Sequence, residues 1–240
     1  MRAKAVIAYD GSLYQGFQRQ KTSKNTISSS IEIALRSLHI HSNIVGSGRT
    51  DAGVHASAQV IHFDLPEFWT DMHKLKCALN RKLTSIYFKH ISLVKDDFHA
   101  RFSAKKRLYR YVFKTKKPSV FEKKYIAYYH DFHTSILKQA LALFEGKHDF
   151  DYFHKTGTIT HSTVREIYTA KYLHRGDYHY IYFQANGFLR AQVRMMIESA
   201  MHCAKGKTTL NQIQEQLKCQ KKHHTKLAPP EGLYLGHILY

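Results

Sequence analysis

The chain is 240 residues long and 43% hydrophobic, enough to bury a substantial core without disulfide staples, and its 13% aromatic content excludes a disordered chain. Its 37 Lys and Arg against 18 Asp and Glu leave a net charge of +19, the electrostatic footprint of a nucleic-acid binder. No apolar run approaches the ~18 residues of a membrane span, and Lys4 and Asp10 leave no room for an apolar signal core, so a cytoplasmic protein is expected.

Ala3 to Tyr9 predicts a strand, closed by Asp10-Gly11-Ser12. Thr26 can cap a helix with the stripe Ile27, Ile31, Leu35 and Leu38. A short strand follows near Ile40 to Val45, then a loop over Gly48 to Gly53, and a strand over Gln59 to Asp64. Met72, Leu75, Leu79 and Leu83 share a helical face, and Ile86 to Val94 is rich in β-branched and aromatic residues. The second half has the same order. A strand covers Leu108 to Lys114, and a helix carries Ile136, Leu137, Ala140, Leu141 and Phe144. Strands span Val164 to Tyr172 and Tyr178 to Ala185, followed by a helix from Leu189 through Val193, Met196, Ile197 and Ala200. A short helix near Leu210 to Leu217 precedes a last strand over Gly232 to Tyr240. Two β-α-β-β-α-β runs predict an α+β chain of two fused ferredoxin-like halves, 1–105 and 106–240. Their sheet is expected to be mixed and mainly antiparallel, with helices on one side. The join is expected near Lys105-Lys106-Arg107, and Lys114 to Lys124 reads as an exposed loop.

Cys77, Cys203 and Cys219 are odd in number and widely spaced, which argues against a disulfide framework; Cys77 and Cys203 read as small core residues. The histidine pairs His39/His41, His148/His154 and His223/His224 lack ligand spacing, so no metal site is expected. Basic residues gather at Lys105-Lys106-Arg107-Arg110, along Lys114, Lys116, Lys117, Lys123 and Lys124, and at Lys218, Lys221, Lys222 and Lys226. Each alone reads as a solvated face; together they suit a track along an RNA backbone.

The sharpest local feature is Gly48-Arg49-Thr50-Asp51-Ala52-Gly53-Val54-His55-Ala56. Two glycines flank one carboxylate, so the backbone can turn tightly. A guanidinium at Arg49 would favour the ionised, nucleophilic carboxylate. No second carboxylate, P-loop or serine elbow is close by. On residue chemistry alone, an ordinary turn aspartate held by its neighbouring arginine remains the commoner reading.

GRTDAGVHA is similar to the catalytic signature of the TruA-type tRNA pseudouridine synthases, and five further strings resemble that family in order. They are Tyr9-Asp10-Gly11-Ser12 with Tyr14 to Gln20; Asp97 to Ala104 with Tyr109-Arg110-Tyr111; Gly146-Lys147-His148-Asp149-Phe150 with Phe153; Phe188 with Val193-Arg194; and Pro230 to Leu235. The resemblance implies that Asp51 is the catalytic aspartate and that Arg194 pairs with its carboxylate. It implies that Tyr109 packs on the target uracil and that Arg49 lies near the RNA. It further implies pseudouridine at positions 38 to 40 of the tRNA anticodon arm, a homodimer, no cofactor and two ferredoxin-like halves. Phe17 stands where the family usually has Trp, Ser28 where Gln is common, and Arg190-Ala191-Gln192 where a His or aromatic residue and Met usually precede Val-Arg. Four apart on one predicted helix, Arg190 and Arg194 would share a face, and Arg190 is expected to touch RNA or solvent. The competing reading is a non-catalytic tRNA-binding or chaperone protein on the same scaffold. A module that only binds has no need of a carboxylate facing an anionic substrate.

Overall fold

A computed structural model describes residues 1–20, 23–157 and 160–240. The chain divides into two compact units, Met1–Lys105 with Tyr234–Tyr240, and Lys106–Leu233. Both are α+β, and no helix among the described residues is long and apolar enough to cross a membrane.

In the first unit, β1 (Arg2–Tyr9) alternates strictly, burying Ala3, Ala5, Ile7 and Tyr9. It pairs antiparallel with β3 (His55–Asp64) on one side and β4 (Ile86–Val94) on the other. β2 (Val45–Gly46) lies antiparallel on the far edge of β3, giving the order β4-β1-β3-β2 of a ferredoxin-like half. The last strand, β10 (Leu233–Leu239), joins the same edge in parallel, with Tyr234 opposite His55 and Leu235 opposite Ala56. α1 (Ile27–Arg36) is capped by the Thr26 hydroxyl, which accepts from the Ser29 N–H at 3.2 Å. It buries Ile27, Ile31, Ala34 and Leu35. α2 (Met72–Lys82) starts at Asp71, whose carboxylate accepts from the Lys74 N–H at 2.9 Å, and buries Leu75 and Leu79.

Two boundaries differ from expectation for visible reasons. The strand predicted over Ile40 to Val45 shrinks to β2, because the Ile44 N–H donates to the buried Glu32 carboxylate at 3.1 Å instead of to a neighbouring strand. α1 stops at Arg36, so Leu38 lies outside the helix, and His39 follows with φ +59°. Cys77 is only half-buried, whereas Cys203 is buried.

The second unit is built on β5 (Lys106–Lys114), β7 (Gly146–Asp149), β8 (Val164–Arg175) and β9 (Tyr178–Ala185), in the antiparallel order β5-β9-β8-β7. β6 (Ala127–Tyr128) lies parallel on β5. β6 and β7 were not anticipated; at two and four residues they are too short to show a periodicity. α3 (Thr134–Ala142) packs on β8 and on α4 (Gln192–Ala204). α5 (Leu210–Leu217) opens with a capping box between Thr209 and Gln212. The core includes Tyr111, Phe113, Phe144, Phe150, Phe153 and Phe183. Lys114 to Lys124 is irregular, and Lys116, Lys117, Lys123 and Lys124 are exposed.

Candidate active site

The Asp51 loop is fixed from below by its own backbone. Ser47 N–H donates to the Val60 carbonyl at 2.8 Å, and its hydroxyl bonds Gln59 Oε1 at 2.6 Å. The Gln59 amide then donates to the Gly48 carbonyl at 2.8 Å. Val54 N–H closes a turn on the Asp51 carbonyl at 3.1 Å, with Gly53 at φ +78°, the positive φ that a type II turn requires at its third residue.

The first glycine-rich string grips the loop from the side. Phe17 N–H donates to the Thr50 carbonyl at 3.1 Å, and the Tyr9 and Thr50 hydroxyls are 2.8 Å apart in a buried contact. Gly11 is pressed so closely on the loop that a Cβ there would lie 1.9 Å from the Val54 carbonyl oxygen. Its N–H donates to His55 Nδ1 at 3.1 Å, which assigns the ring its tautomer; the Asp10 carboxylate lies 3.3 Å from the same nitrogen. The His55 ring stacks on Tyr234 at 4.7 Å. His55 is thus a scaffold for the loop. Phe17, one of the departures named above, is buried with its ring against Gly46. Ser28, the second departure, bonds the Phe17 carbonyl at 2.7 Å and 2.9 Å through its hydroxyl and its N–H. Asp51 itself is half-buried, while Arg49 is exposed. A carboxylate on such a loop presents one charged group to incoming substrate while its main chain cannot drift.

Tyr109 and Arg194 belong to the second unit. Tyr109 lies on β5, 7% exposed, and meets Phe188 edge-on at 5.2 Å. Tyr109 thus sits largely in the core, on the strand face it shares with buried Tyr111 and Phe113. Arg194 lies in the first turn of α4, half-buried. Its Nε donates to the Ala228 carbonyl at 2.7 Å, and the Ala228 N–H returns a bond to the Arg194 carbonyl at 3.1 Å. With Nε so engaged, the two Nη groups carry the guanidinium's remaining donors. The Ala228 clamp was not foreseen, because nothing local links residues 34 apart.

Arg190 is exposed, as expected, but the expectation that it shares a helix face with Arg194 is corrected. The helix begins at Gln192, and Ala191 stands before it in the left-handed region at φ +59°. Arg190 therefore does not share a helix face with Arg194. Its guanidinium donates to the Thr156 carbonyl at 3.2 Å, and its own carbonyl accepts from the Lys155 N–H at 3.0 Å. The Gln192 side chain, fully buried, accepts from the Leu189 N–H at 2.8 Å and so caps the turn. The Arg190-Ala191-Gln192 departure is a loop anchor.

Near the same helix, a cavity of about 310 Å³ is lined by Tyr152, His154, Lys155, Thr156, Met195 and Lys222, among others. Lys222 also sits over the Tyr152 ring at 4.6 Å. Not every basic residue is available to a polyanion. Lys114 pairs with Glu122 at 2.8 Å, and that bond, with others from Ser119, draws the Glu122 carboxyl down to about 2. Lys106 lies over Tyr168, and Arg107 donates to the Asn186 carbonyl.

The clamped, glycine-bounded loop that carries Asp51 is the string by which the chain resembles a class of RNA-modifying isomerases, the pseudouridine synthases. Comparison with known proteins agrees. Residues 5–103 and 140–240 match the family described as tRNA pseudouridine synthase. A protein of Helicobacter hepaticus named tRNA pseudouridine synthase A is 37% identical over 243 residues, covering 99% of this chain and 98% of its own. One from Campylobacter jejuni with the same name is 36% identical over the whole of both chains, and one from Geobacillus kaustophilus is 37% identical, covering 100% of this chain and 94% of its own. The chain belongs to the tRNA pseudouridine synthase family.

Proposed function

We propose that this protein converts uridine to pseudouridine at positions 38 to 40 in the anticodon stem-loop of tRNA, with Asp51 as the nucleophile. The reaction breaks the bond between N1 and the sugar C1′, turns the uracil, and joins C5 to C1′. N1 gains a proton and C5 loses one, so no atom is gained overall and no cofactor is called for. One poised carboxylate can serve, as nucleophile or by taking a sugar proton. The observation that carries the reading is the loop itself: Gly48, Thr50 and Asp51 all give their carbonyls to the protein, while the Asp51 side chain stays half-exposed.

Arg194 is assigned to keep that carboxylate ionised, because a carboxylate in a partly dry site without a cation drifts toward its neutral form. Arg49, exposed two residues before Asp51, is assigned to the RNA. Tyr109 is assigned to stack on the target uracil, which must leave its own stack at a cost of ~ a few kcal/mol; an aromatic platform recovers ~1–3 kcal/mol. Since Tyr109 is 7% exposed and meets Phe188 edge-on, Phe188 must shift or share the stack. The same reading takes the chain as a cytoplasmic homodimer.

The test is to incubate purified protein with unmodified tRNA transcripts carrying U38, U39 or U40 and to map pseudouridine by sequence position. Product confined to those positions is expected. Product only in another arm would overturn the assignment of position, and tight binding without product would return the reading to a tRNA-binding protein.

A further inference from the structure

Glu198 and His202 lie one turn apart on α4, and His224 reaches them from the segment after α5. One donor atom from each of the three lies within 4.8 Å of the others, with His202 Nε2 at 3.6 Å from Glu198 Oε1. The two imidazole rings are 4.0 Å apart at their centres. An i, i+4 ion pair beside a core histidine is the ordinary account of such a group. Two observations go past it. His224 is only 7% exposed, and its Nε2 has no hydrogen-bond partner among the described residues, whereas buried polar atoms are nearly always paired. The carboxylate is also held in place: the Tyr129 hydroxyl bonds Glu198 Oε2, leaving Oε1 toward His202. A carboxylate oriented by an outer hydrogen bond is how metal sites fix their ligands.

We infer that Glu198, His202 and His224 form a binding site for one divalent transition-metal ion of the zinc type. Two imidazoles and a carboxylate are a zinc-binding set, with the fourth position left to water. Tetrahedral geometry at bond lengths of ~2.0–2.1 Å puts donors about 3.4 Å apart, and the three donors here, within 4.8 Å of one another, must draw in to reach it. The backbone behind it is set for this. Gln216 accepts from the His223 and His224 N–H groups at 3.0 Å each and donates to the His224 carbonyl at 2.9 Å. Lys205, Lys207 and Lys226 add positive potential at His202. That potential opposes any cation, so binding has to come from the imidazole nitrogens, which suit ions of the zinc type. The ion ties α4 to the segment leading to Ala228, whose backbone brackets Arg194 on the same helix. The Glu198/His202 spacing was present in the sequence; its third ligand, 22 residues beyond His202 and past α5, was not visible there.

The test uses the full chain, stripped with a chelator and dialysed, and titrated with zinc chloride and separately with cobalt chloride. One equivalent of zinc per chain is expected to bind and raise Tm, and one equivalent of cobalt to give the visible absorption of a tetrahedral site. His224→Gln and His202→Asn should each weaken binding by at least the roughly 10–100-fold that losing a ligand's supporting partner costs. His223→Gln, altering a neighbour that pairs with Glu215 at 2.6 Å instead, should leave it unchanged. If wild type shows neither the Tm rise nor the cobalt bands, the site does not exist; this outcome needs no variant to fold. Equal zinc affinity in wild type and the two ligand variants would likewise overturn it, assigning the ion to other histidines.

Discussion

The Tyr9 and Thr50 hydroxyls lie 2.8 Å apart, both buried, and so join the end of β1 to the residue before Asp51. Tyr9→Phe keeps the ring and removes the hydroxyl. Leaving a buried Thr50 hydroxyl without that bond should cost about 1–3 kcal/mol in urea unfolding. Because the bond positions the loop, kcat should fall several-fold while KM for tRNA holds. Tyr9→Phe with Thr50→Val should be less damaging to stability than the sum of the two, as expected for residues in contact.

Gly11→Ala places a methyl where the Val54 carbonyl already stands. A backbone atom cannot yield as a flexible side chain can, so the loop must move. We expect a loss of about 2–4 kcal/mol and turnover reduced at least tenfold, read from melting curves and single-turnover rates. Gly48→Ala, which meets nothing within 4 Å, is the control and should be nearly silent.

This contrast shows which parts of the site the sequence could disclose. The Asp51 loop was legible because its glycines and its resemblance to a family are local. The grip of Tyr9, Gly11 and Phe17 on it was not, since a sequence string does not say what it touches. β3 starts at His55, four residues before the predicted Gln59, because its first residues pair with Tyr234 and Leu235, far along the chain. The α4 start was misjudged because Leu189 fits the apolar stripe, while a left-handed Ala191 leaves no mark on periodicity. The stripes of Ile27, Ile31 and Leu35 and of Leu75 and Leu79 were legible because burial itself sets the helical period.

His62 makes stability depend on acid. Burial, with Arg2 and His99 nearby, lowers it from the usual 6.5 to about 4, and its Nδ1 accepts the Ala100 N–H at 3.0 Å. The unfolded chain therefore takes up a proton there below pH 6.5 that the folded chain refuses until near pH 4. The stability is whole above pH 6.5 and is lost as pH falls toward 4, by about 3 kcal/mol. His62→Asn, whose amide oxygen can accept the same N–H, should flatten that part of the urea-unfolding profile.

Arg194 and Arg190 should separate cleanly. Arg194→Ala removes the Ala228 contact and, on the proposed assignment, the cation beside the nucleophile. It should lower single-turnover rate by orders of magnitude and Tm as well. Arg194→Lys keeps the charge but not the forked donors, so it should recover Tm in part and little of the rate. Arg190→Ala frees the loop at Thr156 and should leave the rate within a few-fold of wild type. A silent Arg194→Ala together with an inactive Arg190→Ala would assign the role to the wrong arginine.

Asp51→Asn tests the nucleophile most directly. The amide matches the carboxylate in shape and lacks its charge, and the bonds that hold the loop run through the main chain and through Tyr9, Thr50 and Gln59. Fold and tRNA affinity should persist. Pseudouridine formation, followed in a single turnover with enzyme in excess, is predicted to be absent. Pseudouridine appearing at near the wild-type rate would contradict the account.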